Sequence, residues 1–512
     1  MNVGLAIARN AIRHPDDVAV FGVRPQTNRE LHERSNQIAN WLRAQGLKPG
    51  ERVAFFAANR SEVVEVLGGI AKAGLVYVGL NFRLGPSELE QVFENAEPEL
   101  VLTDAEHLDS VVSIAGNSGI EVVDIDGDAW SVEVAAASAE DPATLHHVRH
   151  DDDFCIVYTS GTTGRPKGVL FDHGRALQHA TVACLEYEID RSSRYLIQIP
   201  HNSSVNITIV PCLVVGAALG FRDSRSFDPI GFARTVEEEG VSHSFLVPTQ
   251  LMRLLDRLPA GSDHQLGALV TLGYGSSPIS PERLRVLVDR FGPIFNQLYG
   301  MAEIASIGTI LRKEDHVAGL AGRPELLSSC GQPSYAVDVR VVDELGEDIG
   351  PGERGEVVFA GPHVMKGYYR DVERTDAVLI DGWMHSGDIA EVSDDGYIFI
   401  VDRLKNLIIR GGLNIAPTEI ENVLYRHEAV LEASVVGVPD AEWGEAIVAV
   451  VSLKQGAAAD PEELRTFCRT SALTSIKIPE RVEIWDSLPK NAVGKIAKNE
   501  IRDVFWGEGR KV

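Results

Sequence analysis

"YTSGTTGRPKG", residues Tyr158–Gly168, is the stretch on which the reading of this chain turns. It follows the apolar run "FCIV" and gathers three glycines, the hydroxyls of Thr159, Ser160, Thr162 and Thr163, and the cations Arg165 and Lys167. Gly161, Gly164 and Gly168 permit backbone angles that other residues resist. Loops of this kind turn several N–H groups toward one anion, and the hydroxyls add further donors. The mixture suits a polyphosphate better than a simple polar turn after a strand. It is not a Walker loop, which needs G-x-x-x-x-G-K-[ST]: Lys167 here follows Pro166 and precedes Gly168. Nor does it contain the dinucleotide pattern G-x-G-x-x-G.

Outward from this loop the sequence alternates helix and strand. "RELHERSNQIANWLRAQG" has apolar residues at helical spacing and stops at Gly46, and "ERVAFFAAN" reads as a strand. "SEVVEVLGGIAKAG" is a helix opened by Ser61, then "LVYVGL" a strand; "GPSELEQVFENAEP" is a helix capped by Ser87, then "ELVLTD" a strand. Such alternation predicts α/β layers over a largely parallel sheet. "AAASAEDPA", near 135–143, reads as an exposed connection. From about Gly331 the texture becomes β-rich. After Arg403 a compact α+β segment follows, with capping boxes expected at Thr418/Glu421 and at Asp460/Glu463. The fold class expected is therefore α/β: residues 1–401 as a large N-terminal domain with a β-rich subdomain near 331–401, and 402–512 as a small C-terminal α+β domain.

With 512 residues the chain exceeds the roughly 250–300 at which one core stops growing. A net charge of −26 disfavours nucleic acid and anionic membranes as partners. The five cysteines are scattered without metal-ligand spacing and read as buried thiols of a reducing, cytoplasmic setting. Val64–Phe82 and Ile207–Phe221 are apolar but interrupted, and read as buried helix–strand units rather than membrane spans.

The opening stretch closely resembles the phosphate-binding signature of the adenylate-forming superfamily, which contains acyl-CoA synthetases, peptide-synthetase adenylation domains and firefly luciferase. The remaining motifs follow in order. "YGSSPIS" resembles the platform for adenine, with Gly275, Ser276 and Ser277 beneath the ring. "NQLYGMAE" resembles the next motif: Asn296, Tyr299, Gly300, Met301 and Ala302 line the nucleotide, and Glu303 holds Mg²⁺, although Ala302 stands where many relatives have Thr. "DGWMHSGDIA" places Asp388 on the ribose hydroxyls, and "DRLKNLIIRGG" supplies Arg403 as a second ribose contact and Asp402 as the hinge. Arg410, Gly411 and Gly412 match the segment used in the second half-reaction, and Lys495 in "LPKNAVGKIAK" matches the adenylation lysine.

The resemblance implies that a carboxylate attacks the α-phosphorus of Mg·ATP, giving an acyl-adenylate and pyrophosphate, after which a thiol displaces AMP. Lys495, Glu303, Thr159 and His201 are the implied catalytic residues, and ATP, Mg²⁺ and coenzyme A the implied cofactors. His201, Asn202, Val205, Asn206, Tyr274, Gly300, Met301 and Ile307 are the implied acyl pocket. "PHNSSVNITIV" has no acid to hold an amino group, and "LYGMAE" has no Trp to plug the pocket down to acetate. A fatty acid and an aryl or alicyclic acid both remain open. A carrier protein in place of CoA, a luciferase-type oxidative second step, a phosphotransferase releasing ADP, and a non-catalytic nucleotide- or acyl-binding protein are the competing readings. The resemblance also brings the expectations of a homodimer and of a protein acetyltransferase acting on Lys495.

Overall fold

The structure, a computed structural model, describes residues 1–116, 119–159, 166–223, 225–258, 261, 266–277, 279–440, 442–471, 473–490 and 496–506. The chain forms two compact units. The first takes Met1–Val339, Val358–His385 and Asp395–Ile398; the second takes Arg340–Val357, Ser386–Asp394 and Phe399–Val512.

Two mixed sheets, of nine and seven strands, organise the first unit. In the seven-stranded sheet, Arg52–Phe56 lies between Val76–Leu80 and Leu100–Thr103, all parallel. Val76–Leu80 is buried along its whole length, which is why it reads as an unbroken apolar run. It pairs parallel with Asp153–Thr159, which turns back antiparallel into Lys167–Asp172. The nine-stranded sheet carries His243–Leu246, Thr271–Gly275 and Phe295–Tyr299 as parallel neighbours, with Thr309–Leu311 antiparallel at the end of that run. The β-rich stretch forms a third sheet of five strands. The second unit contains another five-stranded sheet, in which Val430–Asp440 pairs antiparallel with Gly444–Leu453 and Arg481–Ile484 adds in parallel. The architecture is thus a large N-terminal α/β domain of mixed sheets with a β subdomain, and a small C-terminal α+β domain.

Several helix starts follow chemistry that the sequence reading missed. Helix Asn28–Ala44 opens on a capping box of Thr27 and Glu30. Ser61 precedes helix Glu62–Ala73 without a side-chain cap bond. Helix Pro86–Ala96 is entered through Gly85, whose N–H donates to Glu88, so Ser87 is not its cap. The Thr418/Glu421 box does not form either. Thr418 donates through N and Oγ1 to Asp402, and Glu421 accepts from Val435 N and pairs with Lys498. The Asp460/Glu463 box is present. The exposed connection near 135–143 is pinned to helix Asn28–Ala44, where Asn36 and Asn40 donate to the carbonyls of Ala139, Ser138 and Glu140. Among the described residues no helix is long and apolar enough to cross a membrane. All five cysteines are free, and burial pushes the Cys155 and Cys184 thiols up to about 12.

Seven histidines are held neutral chiefly by burial. His173 is pushed down to about 3; His32, His201, His243 and His316 to about 4; His179 and His363 also shift down. The unfolded chain binds these protons near pH 6.5. Their contribution is therefore complete above that value and is lost as pH falls toward 4, with a slope of up to about 1.4 kcal/mol per pH unit for each group. The urea midpoint is expected to drop clearly between pH 7.5 and pH 5.5. Equal midpoints would show that these rings are protonated or hydrated in the folded protein.

Candidate active site

The stretch that opened the sequence reading begins and ends in paired strands. Thr159 faces Lys167 and Tyr158 faces Gly168 across the antiparallel register of Asp153–Thr159 with Lys167–Asp172. The two ends are therefore clamped side by side. Ser160, Gly161, Thr162, Thr163 and Gly164, with Arg165, lie outside the described residues. A third strand, Gly367–Tyr368, pairs antiparallel with Lys167–Asp172, and Tyr369 N donates to Gly168 O at 2.7 Å.

That third strand brings in a residue absent from the sequence reading. The Tyr368 hydroxyl donates to Glu303 Oε1 at 2.6 Å, and Lys167 Nζ lies 5.0 Å from the centre of the Tyr368 ring. Burial, then the charge and hydrogen bond of Glu303, push the Tyr368 phenol well above its ordinary value, so it stays protonated and keeps donating. Glu303 itself is buried at 6% exposure, and its backbone carbonyl accepts from Met365 N at 2.7 Å. It sits on a short 3-10 helix, Ala302–Ile304, after strand Phe295–Tyr299. The turn between them requires glycine: a Cβ on Gly300 would stand 2.6 Å from the Ser306 carbonyl oxygen.

The described residues contain no group of three or more His, Cys, Asp or Glu able to hold a metal. A cation at Glu303 would rely on one carboxylate and draw its other ligands from water and phosphate oxygens. That donor set fits Mg²⁺, which is usually held by one or two carboxylates plus substrate phosphates.

The other expected first-unit residues divide between the end of a strand and the core. Strand Thr271–Gly275 ends with Gly275 opposite Leu298, and Ser276 follows with φ +72°. A left-handed serine costs about 1–3 kcal/mol, and residues held this way cluster at active sites and ligand clamps. Tyr274, expected in the acyl pocket, is instead fully buried in the core, its hydroxyl 2.9 Å from both Gln297 Oε1 and His316 Nε2. Asn296 is buried and donates to Glu186 O at 2.8 Å. Tyr299 lies 6.0 Å from the Phe359 ring, Ile307 is buried, and Met301 is half-buried.

His201 and Asn202 begin a short helix, His201–Ser204, which continues as a π-helix over Val205–Ile209. Such wide turns recur at functional sites. His201 is fully buried. Its Nδ1 is 3.3 Å from the Tyr77 hydroxyl and its Nε2 is 3.1 Å from Ala57 O. Both nitrogens are engaged inside the protein, and burial pushes the ring down to about 4, so His201 is neutral near pH 7. Val205 is buried, and Asn206 is buried against the Cys155 thiol at 3.8 Å.

In the second unit Asp388 and Arg403 form an ion pair at 2.9 Å, with the carboxylate buried and the guanidinium half exposed. Asp402 is buried; its Oδ1 accepts from Arg403 N and Asn406, and its Oδ2 from Thr418 N and Oγ1. Gly411 and Gly412 turn the hairpin between Ile408–Arg410 and Leu413–Ile415 with φ +56° and +79°. A Cβ on Gly411 would also stand 3.0 Å from the Trp443 ring. Lys495 lies outside the described residues; Lys490 and Ile496 form an isolated antiparallel bridge.

Residues 7–369 match the AMP-binding enzyme family, and residues 419–495 match the AMP-binding enzyme C-terminal domain. The chain is 38% identical over 500 residues to a feruloyl-CoA synthase of an Amycolatopsis species, covering 97% of this chain and 98% of that protein. It is 34% identical over 507 residues to the fatty acid–[acyl-carrier-protein] ligase ScoC of Streptomyces coeruleorubidus, covering 96% and 93%. Among solved structures, ATP-bound MatB from Rhodopseudomonas palustris superposes with a TM-score of 0.86 at 28% identity, covering 99% of both chains.

Proposed function

The chain belongs to the AMP-binding enzyme family, as an acid–thiol ligase of the AMP-forming acyl-CoA synthetase type, and from that premise we propose that it joins a fatty or an aryl or alicyclic carboxylic acid to CoA through an acyl-adenylate. The observation that carries the proposal is the buried carboxylate of Glu303, fixed by Tyr368 beside the strand that leaves the hydroxyl- and glycine-rich loop. A carboxylate is a poor acyl donor, because its leaving group would be oxide; joining it to AMP supplies a good one.

In this reading Thr159, Lys167 and the loop between them hold the departing phosphates. Glu303 would hold Mg²⁺, which when bound offsets phosphate charge. Lys495 steadies the charge that builds as the substrate carboxylate attacks the α-phosphorus. Gly275, Ser276 and Ser277 carry adenine, and Asp388 with Arg403 takes the ribose. Asn202, Val205, Asn206, Gly300, Met301 and Ile307 line the acyl pocket, with neutral His201 behind them. Gly411 and Gly412 leave room for a thin thiol arm, and the chain turns at Asp402 between the two steps. The likeness to a feruloyl-CoA synthase favours an aryl acid.

Mass spectrometry after incubation with Mg·ATP, CoA and a pool of fatty acids, benzoates and cinnamates tests the reading. An acyl-CoA with AMP is expected. The likeness to ScoC keeps a carrier protein as the second reading, and acyl-AMP without acyl-CoA would favour it. ADP as product would overturn adenylation altogether.

A further inference from the structure

In the seven-stranded sheet, strand Arg52–Phe56 has Val76–Leu80 on one side and Leu100–Thr103 on the other. The winding therefore reverses between Arg52–Phe56 and Leu100–Thr103. The crevice at the carboxyl ends of strands at such a reversal is where open α/β sheets bind ligands. Phe56 stands opposite Thr103, so Ala57 and Ala58 leave the sheet beside Asp104. Asp104 is buried and both of its carboxylate oxygens are engaged. Oδ2 accepts from Ala58 N at 3.1 Å, and Oδ1 accepts from His107 N at 3.1 Å and from His107 Nδ1 at 2.5 Å. The His107 ring lies edge-on to Phe56, with 5.2 Å between ring centres.

The N–H of Ala58 and the C=O of Ala57 belong to one peptide unit, and that carbonyl lies 3.1 Å from His201 Nε2. A carbonyl only accepts, so Nε2 carries the proton. The ring is neutral, so Nδ1 is bare and accepts at 3.3 Å from the Tyr77 hydroxyl, a phenol that burial keeps protonated. The His201 backbone is fixed as well, its N donating to Asn59 Oδ1 at 2.8 Å. One chain of hydrogen bonds thus runs from Tyr77 through His201 and the Ala57–Ala58 peptide to Asp104 and His107. Bonds in such a chain polarise one another, and a carboxylate drawing on the peptide N–H makes its carbonyl a better acceptor. The charge is felt at the ring: burial pushes His201 down against upward pulls from the Ala57 carbonyl and from Asp104.

We propose that Asp104, held by His107, is a positioning residue for the carboxylic acid. Acting through the Ala57–Ala58 peptide, it fixes His201 in the tautomer protonated on Nε2 and sets the orientation of an uncharged ring behind the acyl pocket. With both nitrogens engaged, the ring offers a substrate its carbon surface alone. The proposal rests on the reading of the chain as an adenylating enzyme with His201 at its acyl pocket.

The test is a double-mutant cycle between Asp104→Asn and His201→Phe, read by ATP–pyrophosphate exchange. Asparagine keeps an oxygen for Ala58 N and removes the charge. Alone it should raise the KM for the acid about 5–10-fold, the range for weakening a charge-assisted hydrogen bond, with the KM for ATP within about twofold. In the His201→Phe background the same change should have no further effect on the KM for the acid. Additive effects would reduce Asp104 to an anchor of the strand end and overturn the proposal. A second arm needs neither activity nor the Phe variant. Heteronuclear NMR of the histidine rings, with His201 identified as the signal missing from His201→Gln, should show Nε2 protonated and Nδ1 bare. In Asp104→Asn that Nε2 proton should shift and exchange faster with solvent. An unchanged His201 signal overturns the proposal whatever the kinetics show. If no acid is adenylated, the ligase reading fails, and the ring signal alone then decides whether Asp104 sets the tautomer.

Discussion

Glu303→Gln is expected to lower the rate of acyl-adenylate formation by about 10²–10³, the usual cost of losing one group that stabilises transition-state charge. Glutamine keeps the length of the side chain, and its carbonyl oxygen can still accept from Tyr368. The hydrogen bond that orients the group at 2.6 Å therefore survives while the charge is removed. ATP–pyrophosphate exchange measures this step without the thiol. Tyr368→Phe makes the complementary change: the carboxylate keeps its charge but loses its orienting donor at a buried position. Its effect is expected to be smaller, about tenfold, in line with the 1–3 kcal/mol that a buried unsatisfied acceptor costs. It should also raise the Mg²⁺ concentration needed for half-maximal exchange, which a purely structural defect would not do. Exchange within threefold of the natural rate in Glu303→Gln would remove Glu303 from the metal and phosphate chemistry.

The site was legible in the sequence wherever its chemistry is local. Gly300 is needed because the chain doubles back within a few residues, and a motif preserves that requirement in its own letters. Around residues 158–168 the clustered glycines and hydroxyls suggest an anion site, and the described ends, Thr159 and Lys167, face each other across an antiparallel pair. Tyr368 is the counterexample. It reaches Glu303 from 65 residues away, through a strand that pairs with Lys167–Asp172, and nothing in "GYY" announces that pairing. His201 and Tyr274 show what a motif leaves open. Each lies in a motif that resembles a ligand site, yet burial and inward hydrogen bonds decide what each side chain does. Helix starts failed for a related reason. Ser87 and Thr418 have cap chemistry, but Gly85 N–H found Glu88, and Asp402 claimed Thr418 across 16 residues. The alternation of helix and strand held because burial on both faces of a parallel sheet leaves unbroken apolar runs such as Val76–Leu80.

Lys495→Ala and Asp402→Pro are expected to damage opposite halves of the reaction. The lysine is proposed to act where negative charge builds on the α-phosphate, a charge that grows only while the adenylate forms. Its loss should cut exchange by about 10²–10³ and leave transfer from preformed acyl-AMP to CoA largely intact. Asp402 is proposed as the point at which the chain turns between steps, and proline there fixes φ. Its carboxylate also accepts four hydrogen bonds, from Arg403 N, Asn406 and both donors of Thr418, so proline alone would confound backbone with side chain. Asp402→Ala removes the same bonds and leaves φ free. The comparison of interest is therefore Pro against Ala. Asp402→Pro should slow thioester formation more than adenylation, while Asp402→Ala should leave the ratio of the two rates near its natural value. Equal loss of both half-reactions in Lys495→Ala would refute the role of the lysine. Matching ratios in Asp402→Pro and Asp402→Ala would show that backbone freedom at this residue does not control the second step, and that the carboxylate serves only to anchor the start of helix Pro417–Leu424.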